Sequence, residues 1–416
     1  QGYRPLVLER GRDVERRSRD VADFWQSGRL DPASNVQFGE GGAGTFSDGK
    51  LTTRVNHPRM QELLEIMVDA GAPPEIAYLH KPHVGTDLLR LVVKNLREEI
   101  KRLGGEVRFE HQVTDLQVTD GRVAAVEING QEREACAAVL LGIGHSARDT
   151  YAMLQARGAA MEAKPFAIGL RIEHPQEVLD QAQYGAAAGH PRLGAADYAL
   201  VYHHPSNGRT AYSFCMCPGG LVIASASEEG GVVTNGMSLY SRASGLANSA
   251  LVVNVLPEDH DGTPLGGVSF QRQWEKAAFV VGGGGYAAPV QAVGDFLQGH
   301  DGKTEFLTSP SYRPGIKRTH LGACLPAFVG DTLRQALPDF GRKIKGFDHP
   351  GAVLTGVETR TSAPLRILRG RDFQSLTLQG LYPLGEGAGY AGGIMSAALD
   401  GYMAPLSLME LYGPPR

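Results

Sequence analysis

The sequence predicts an α/β fold in which one domain is interrupted by a second, smaller α+β unit. Residues 3–9 form a short apolar run that ends in an acid, Glu9, as a buried strand would. Near the other end, Leu378–Leu384 leads into glycines and then into a helical pattern. Between about 164 and 345 the pattern changes to short β-like runs, turns and long polar loops. The two ends therefore belong to one domain and the middle to another.

Composition limits the class of protein. The chain has 416 residues, 54 of them glycine, and a formal net charge of −4. Glycine is nearly twice its usual share of about 7 %, but it shows no collagen-like period. The balanced charge argues against a nucleic-acid surface. Four cysteines favour a reducing, cytoplasmic compartment. The longest apolar stretch, near Ala135–Ile143, is too short for a membrane helix.

The N-terminal strand indicates a dinucleotide fold. In such folds an acid at the end of the second strand accepts hydrogen bonds from ribose hydroxyls, which is the role expected for Glu9. A first strand, a G-x-G-x-x-G turn and a helix should precede it, whereas the sequence begins at Gln1. We therefore expect the chain to start inside its first domain.

Several further elements can be predicted. Five glycines in the eleven residues 39–49 predict a functional or disordered loop. Asp120-Gly121 predicts a hairpin turn. Apolar periodicity predicts a helix at Thr86–Leu103 and strands at 107–109, 113–118, 123–128 and 137–143. In the middle unit, 211–217, 221–225 and 232–234 predict a β-meander.

The C-terminal glycine-rich segment is the most specific signal. Glu386 follows a strand and can accept from a sugar-like hydroxyl, and a helix opens at Gly392-Gly393. The free N–H groups of a helix start favour negative charge, such as that on the pyrimidine edge of a reduced flavin. The alternative is a loop whose glycines only let the helix pack closely on the sheet.

Four segments resemble one bacterial family, that of FAD-dependent dehydrogenases or NAD(P)/FAD-dependent oxidoreductases. They are 41–51 (GGAGTFSDGKL), 214–220 (FCMCPGG), 358–364 (ETRTSAP) and 385–401. The resemblance implies a Rossmann-like FAD-binding domain of the glutathione-reductase type, formed by residues 1–163 and 346–416. It implies a substrate domain inserted at 164–345. The first strand and the G-x-G-x-x-G turn of that family are missing, so we expect the chain to bind FAD weakly and a version extended upstream to bind it tightly.

The resemblance also implies which residues contact FAD. Contacts with the adenosine end are implied for Glu9, Arg10 and the backbone of Val113. Gly142 and Gly144 are implied to lie in a loop that passes close to the dinucleotide. The flavin side is implied for Gly44, Thr45, Asp48, Gly49 and Lys50, and the ribityl chain and ring for Gly385, Glu386, Gly392, Gly393 and Ile394. His145 follows Gly144 in the same loop, and no proton chemistry is assigned to it.

Catalytic residues are not identified, and two candidates each have an alternative. Lys50 is either a charge near the flavin or a solvated lysine. Arg360 either orients an anionic substrate or is a structural ion-pair partner. In an extended strand, the side chains of Cys215 and Cys217 point to the same face, and their Cα atoms lie about 6.6 Å apart. A disulfide there would be strained unless the chain turns, so two small buried hydrophobes are the favoured interpretation.

We expect an FAD-dependent dehydrogenase that passes a hydride or an electron pair between flavin and a small organic substrate. NAD(P)H is possible only as a transient reductant, because Gly282–Gly285 lacks the G-x-G-x-x-G pattern of a second nucleotide site. The alternatives are a flavin monooxygenase and a flavin-binding protein of tRNA modification. No metal site is predicted, because the histidines lack ligand spacing.

Overall fold

The computed structural model describes residues 2–413, which form a mixed α/β structure with one seven-stranded sheet and five smaller sheets. Within the described residues no helix is long and apolar enough to span a membrane. The strands are β1 Leu6–Leu8, β2 Glu106–Arg108, β3 Val113–Thr119, β4 Arg122–Ile128, β5 Glu132–Ala135, β6 Val139–Leu141, β7 Met161–Ala163, β8 Phe166–Pro175, β9 Val201–His203, β10 Thr210–Cys217, β11 Gly220–Ala224, β12 Thr234–Ser238, β13 Leu246–Val255, β14 Ala288–Ala292, β15 Ile316–Arg318, β16 Val353–Glu358, β17 Leu365–Ile367 and β18 Leu381–Pro383. The α-helices are α1 Val14–Ser27, α2 Met60–Asp69, α3 Gly85–Arg102, α4 Arg148–Ala156, α5 Gln176–Tyr184, α6 Gly266–Val281, α7 Val293–Gln298, α8 Ala327–Lys343 and α9 Ile394–Tyr412.

The large sheet forms the centre of the inserted unit. Its strand order is β15-β14-β16-β8-β13-β10-β9, and every pair is antiparallel except β14-β15. In β8, all residues but Pro175 are buried, as is typical of a strand covered on both faces. Strand β16 lies inside this sheet and comes after the predicted boundary at 345. The division into domains stays a prediction.

The remaining described strands form five small sheets. Strands β1 and β2 are parallel, and so are β6 and β18. Strands β3, β4 and β5 form an antiparallel meander. The predicted hairpin turn is confirmed, since Asp120 and Gly121 both have positive φ, 50° and 75°. Helix α3 lies within one residue of its predicted bounds.

The meander predicted in the inserted unit is wrong. Strands β11 and β12 pair with each other, but β10 pairs with β13 and β9 in the large sheet. The turn at Pro218-Gly219 carries the chain from one sheet to the other. Local patterns predicted β10 and β11, but the third predicted strand, 232–234, overlaps β12 only at Thr234. The partners of β10 depend on contacts with β13, which lies about 30 residues further along the chain.

Candidate functional site

Glu9 ends β1 beside the glycine-rich loop, as the sequence predicts. Its Oε1 accepts hydrogen bonds from the backbone N–H groups of Gly11, at 2.8 Å, and Gly39, at 3.0 Å. Next to it lies a cleft of about 280 Å³, lined among others by Arg10, Gly11, Ser34 and Gln112. Val113 follows Gln112 at the start of β3. Glu9, Arg10 and Val113 therefore lie around or next to one cleft.

Arg10 connects this cleft to two other elements. Its guanidinium lies 4.2 Å above the ring centre of Phe38, at the start of the loop. Its Nη2 lies 2.9 Å from Asp149 in the first turn of α4. The loop, β1 and α4 are thereby held together at the end of the site expected to take adenosine.

Arg17 holds the glycine-rich loop by hydrogen bonds to its backbone, and the sequence analysis missed this residue. This side chain is fully buried, and it donates hydrogen bonds of 2.6 to 3.2 Å to the backbone carbonyls of Asn35, Val36, Gly39, Glu40 and Gly42. A signal was available: Arg17 takes a place on the apolar face of α1 together with Val14, Val21 and Phe24. An arginine at such a place requires several acceptors.

Asp48 and Lys50 lie at the far end of the loop. Asp48 is buried and accepts hydrogen bonds from Ser238 and from Arg242, whose Nη2 lies 2.5 Å away. Burial alone would raise the pKa of Asp48, but the hydrogen bond from Arg242 and the nearby charge of Lys50 bring the pKa below its ordinary value. Asp48 therefore joins the loop to the inserted unit, and Lys50 lies 3.7 Å from it, about one-third exposed.

The loop also meets the start of α9, where the sequence predicts the flavin. A Cβ placed on Gly44 would lie 3.5 Å from the side chain of Ile394, the first residue of the helix. Thr45 is buried next to it, and its carbonyl accepts a 2.6 Å hydrogen bond from Thr86 on α3. A Cβ at Gly392 or Gly393 would meet no atom within 4 Å. The start of α9 is therefore open where the glycine-rich loop approaches it.

Glu386 is the functional side chain with the most unusual surroundings. Within residues 2–413 its carboxylate has no hydrogen-bond partner, and the residue is partly exposed. Its partial burial raises the pKa of Glu386 to about 7, and the nearby Lys164 only partly offsets that effect. A partly exposed carboxylate without a protein donor is ready to accept from a ligand hydroxyl.

The loops that follow β6 and β18 touch each other through their backbones. A Cβ on Gly387 would collide with the carbonyl oxygen of Gly144, so these loops can approach only with glycine there. The Tyr151 hydroxyl donates to the Gly387 carbonyl at 2.8 Å. His145 lies in the same loop, and burial together with the charge of Arg360 lowers its pKa to about 3. His145 is therefore neutral near pH 7.

Arg360 lies in a buried ion-pair network, and its role as a substrate-orienting residue stays a prediction. It binds Glu275 with both Nε and Nη2 at 3.0 Å and donates to the hydroxyls of Ser146 and Ser227. Arg148 binds the same carboxylate at 2.7 Å. These partners occupy the Arg360 guanidinium, so the structure agrees with the alternative of a structural ion pair.

Comparisons with known proteins agree with this geometry. A family model described as "FAD-dependent protein, C-terminal domain-like" matches residues 165–361. An uncharacterized protein of Clostridium beijerinckii is 52 % identical over all 416 residues, which span 78 % of that protein. The chain belongs to this family of FAD-dependent proteins.

Solved structures resemble this FAD-dependent protein only distantly. CtdE in complex with FAD is 12 % identical, with 100 % of this chain and 86 % of CtdE covered and a TM-score of 0.35. Halogenase PltM is 10 % identical, with 99 % and 70 % covered and a TM-score of 0.42. Glycine oxidase from Bacillus cereus is 9 % identical, with 80 % and 58 % covered and a TM-score of 0.32. At such scores these likenesses carry no argument about the site.

The residues present fit an FAD molecule. Glu386 supplies an acceptor without a partner, and Gly392 and Gly393 leave open space at a helix start whose first N–H groups lack intrahelical acceptors. The glycine-rich loop extends from the cleft beside Glu9 to Ile394. These contacts span both ends of a dinucleotide.

Proposed function

We propose that the chain is an FAD-dependent dehydrogenase that passes a hydride or an electron pair between flavin and a small organic substrate held by the inserted unit. The observation that carries the proposal is the carboxylate of Glu386, without a hydrogen-bond donor among the described residues and close to an open helix start. A structural role would give a buried carboxylate a donor, as Arg171 does for Glu358 at 2.9 Å.

The strand arrangement supports a Rossmann-like domain of the glutathione-reductase type. Strands β1-β2 and β6-β18 are two parallel pairs, and the outer edges of β1 and β6 have no strand partner among the described residues. Val7 and Leu140, at the centres of β1 and β6, are 37 % and 43 % exposed. Apolar residues at the middle of parallel strands are normally buried.

The chain's own groups bind and orient the cofactor, while the flavin supplies the hydride chemistry. Ionised Glu386 accepts from a ribityl hydroxyl. The first N–H groups of α9 donate to the pyrimidine edge and stabilise negative charge there. Glu9 accepts at the adenosine end through its second carboxylate oxygen, since Oε1 is held by Gly11 and Gly39.

FAD titration of the purified full-length protein tests the proposal. Glu386→Gln should raise the Kd for FAD about tenfold or more, because a hydrogen bond to a charged group contributes roughly 1.5–3 kcal/mol. The matched control is Glu132→Gln, an exposed carboxylate on β5, which should leave the Kd unchanged. Absence of flavin absorbance together with no uptake of FAD by the full-length protein would overturn the proposal.

Anaerobic reduction tests the dehydrogenase assignment. A dehydrogenase bleaches its flavin when substrate is added without oxygen, and NADH or NADPH would do the same if a nicotinamide binds transiently over the flavin. The assay is flavin absorbance under nitrogen with a metabolite panel. Incorporation of labelled oxygen into the product would show a monooxygenase and contradict the assignment.

A further inference from the structure

Cys215 and Cys217 lie at an irregularity in β10. The pairing of β10 with β13 shifts register between Phe214 and Cys217, and Cys215 has a φ of 43°, in the left-handed region. The chain therefore turns between the two cysteines, and the Cys217 thiol lies 3.4 Å from the Cys215 carbonyl oxygen. The turn that the sequence analysis required for a disulfide is therefore present.

The bulge is held in place by a buried cation. Arg171 donates to the Cys215 carbonyl at 2.9 Å, and Glu358 fixes its guanidinium with two bonds of 2.9 and 3.0 Å. On the other side Gly236 makes room for the second thiol, since a Cβ there would lie 2.9 Å from Cys217 Sγ. Two independent contacts thus maintain the strand irregularity at the thiol pair.

The two thiols are not equivalent. Cys215 is partly exposed, whereas Cys217 is fully buried. The hydrogen bond from Cys217 lowers the pKa of Cys215 well below the ordinary thiol value, and the charges of Lys50 and Arg171 act in the same direction. The same hydrogen bond raises the pKa of Cys217. An accessible thiolate beside a protonated thiol is the usual arrangement of a reactive dithiol.

The pair also lies among the residues implied to contact the flavin. Arg171, which holds the Cys215 carbonyl, also donates to Asn235 on β12 at 2.9 Å, and Ser238 on the same strand donates to Asp48. Cys136 and Cys324 differ from it in this respect. Cys324 is buried near the apolar Leu321 and Leu325, and burial raises its pKa to about 12.

We propose that Cys215 and Cys217 form a redox-active dithiol that exchanges two electrons with the flavin. In the oxidising direction the two thiols lose two protons to solvent, one S–S bond forms, and two electrons pass to oxidised flavin. The reverse transfer restores the dithiol. The exchange with flavin rests on the proposed function, but closure of the disulfide does not.

Thiol counting tests closure without any flavin. The protein is treated with oxidised glutathione and then denatured in the presence of N-ethylmaleimide, which alkylates free thiols. The alkylated sites are counted by mass spectrometry. We expect two of the four cysteines to escape alkylation, with one peptide carrying an internal Cys215–Cys217 disulfide. The control Cys136→Ser should still lose two alkylation sites, and Cys215→Ser should lose none. Four alkylated thiols, or a glutathione adduct on Cys215 without closure, would overturn the proposal.

Reductive titration tests the exchange with flavin. The FAD-loaded, pre-oxidised protein should take up four electrons per flavin from dithionite, two for the flavin and two for the disulfide. Cys217→Ala should take up only two. Two electrons in both proteins would overturn the exchange. Failure to load FAD would instead refute the proposed function, and the thiol count would still decide the disulfide. Wild-type thiol counting needs no variant, so a folding defect in Cys217→Ala leaves that test intact.

Discussion

Two carboxylates, one buried and one partly exposed, show how the junction of the two units differs from the cofactor face. Glu275, on α6, is bound by Arg148 at 2.7 Å and Arg360 at 3.0 Å, and Thr359 also donates to it. Glu386 has no donor among residues 2–413. Although burial opposes it, the two arginines hold the pKa of Glu275 below its ordinary value, whereas burial raises that of Glu386 to about 7.

The difference separates structure from ligand binding. The network around Glu275 joins α4, α6 and the segment after β16, so its partners are already provided by the fold. Glu386 is costly to bury and is not compensated by the protein. We infer that its compensation comes from the ligand. The two carboxylates should consequently respond to removal of their charge in opposite ways.

The largest effect is expected for Glu275→Gln, because this substitution removes the negative charge that both Arg148 and Arg360 bind. The two arginines then stay buried with less compensation for their positive charges. The free energy of unfolding should fall by about 3–5 kcal/mol, measured by urea denaturation at pH 7. Because the folded pKa is depressed, the difference from wild type should shrink as the pH falls below the ordinary value of 4.5. Glu99→Gln, at an exposed ion pair on α3, should leave the unfolding midpoint unchanged.

The opposite sign is expected for Glu386→Gln in the protein without flavin. A folded-state pKa raised to about 7 means that ionisation destabilises the fold as the pH rises from 4.5. The variant should therefore be more stable than wild type at pH 8, by on the order of 2 kcal/mol, and equal to it at pH 4. Thermal unfolding at both pH values measures this. Destabilisation at pH 8 would show that Glu386 has a protein partner and would remove the contrast with Glu275.

An intermediate effect is expected where the loop meets the inserted unit. Asp48→Asn weakens the hydrogen bonds from Arg242 and Ser238, so the free energy of unfolding should fall by about 1–3 kcal/mol. The pKa of Asp48 is lowered in the fold, so the loss should vanish as the pH falls well below 3.8. A double-mutant cycle with Arg242→Met measures the coupling. Additive losses would contradict a direct link between the two residues.

The smallest effect on stability is expected for Gly44→Ala. Its Cβ would make an ordinary contact with Ile394 at 3.5 Å, so the free energy of unfolding should change by less than about 0.5 kcal/mol. The same methyl group narrows the space beside the helix start. The Kd for FAD should therefore rise about tenfold, which equilibrium titration measures. An unchanged Kd would place the flavin elsewhere and would leave only Glu386 as a marker of the site.

Local sequence patterns predicted the parts of the site but not how each part is satisfied. The strand before Glu9, the helix α3 and the glycine-rich loop follow from periodicity and from glycine content, which act over a few residues. Arg360 was left as either a substrate or a structural residue, because its partner Glu275 lies 85 positions away in the sequence. Arg17 was missed although its place on the apolar face of α1 was a signal, and only its acceptors, which are backbone carbonyls, leave no residue signature.

The sequence by itself determined the strand–acid and strand–glycine–helix segments and the family. Each depends on short-range periodicity or on residue identity at fixed spacing. The tertiary structure alone decided that β10 leaves its neighbours for the large sheet, that Asp48 binds Arg242, and that Glu386 has no donor among the described residues. Burial and partner geometry are properties of segments distant along the chain, and they set the pKa of each carboxylate. They also turn the strand at Cys215, so that the Cys217 thiol lies 3.4 Å from the Cys215 carbonyl oxygen.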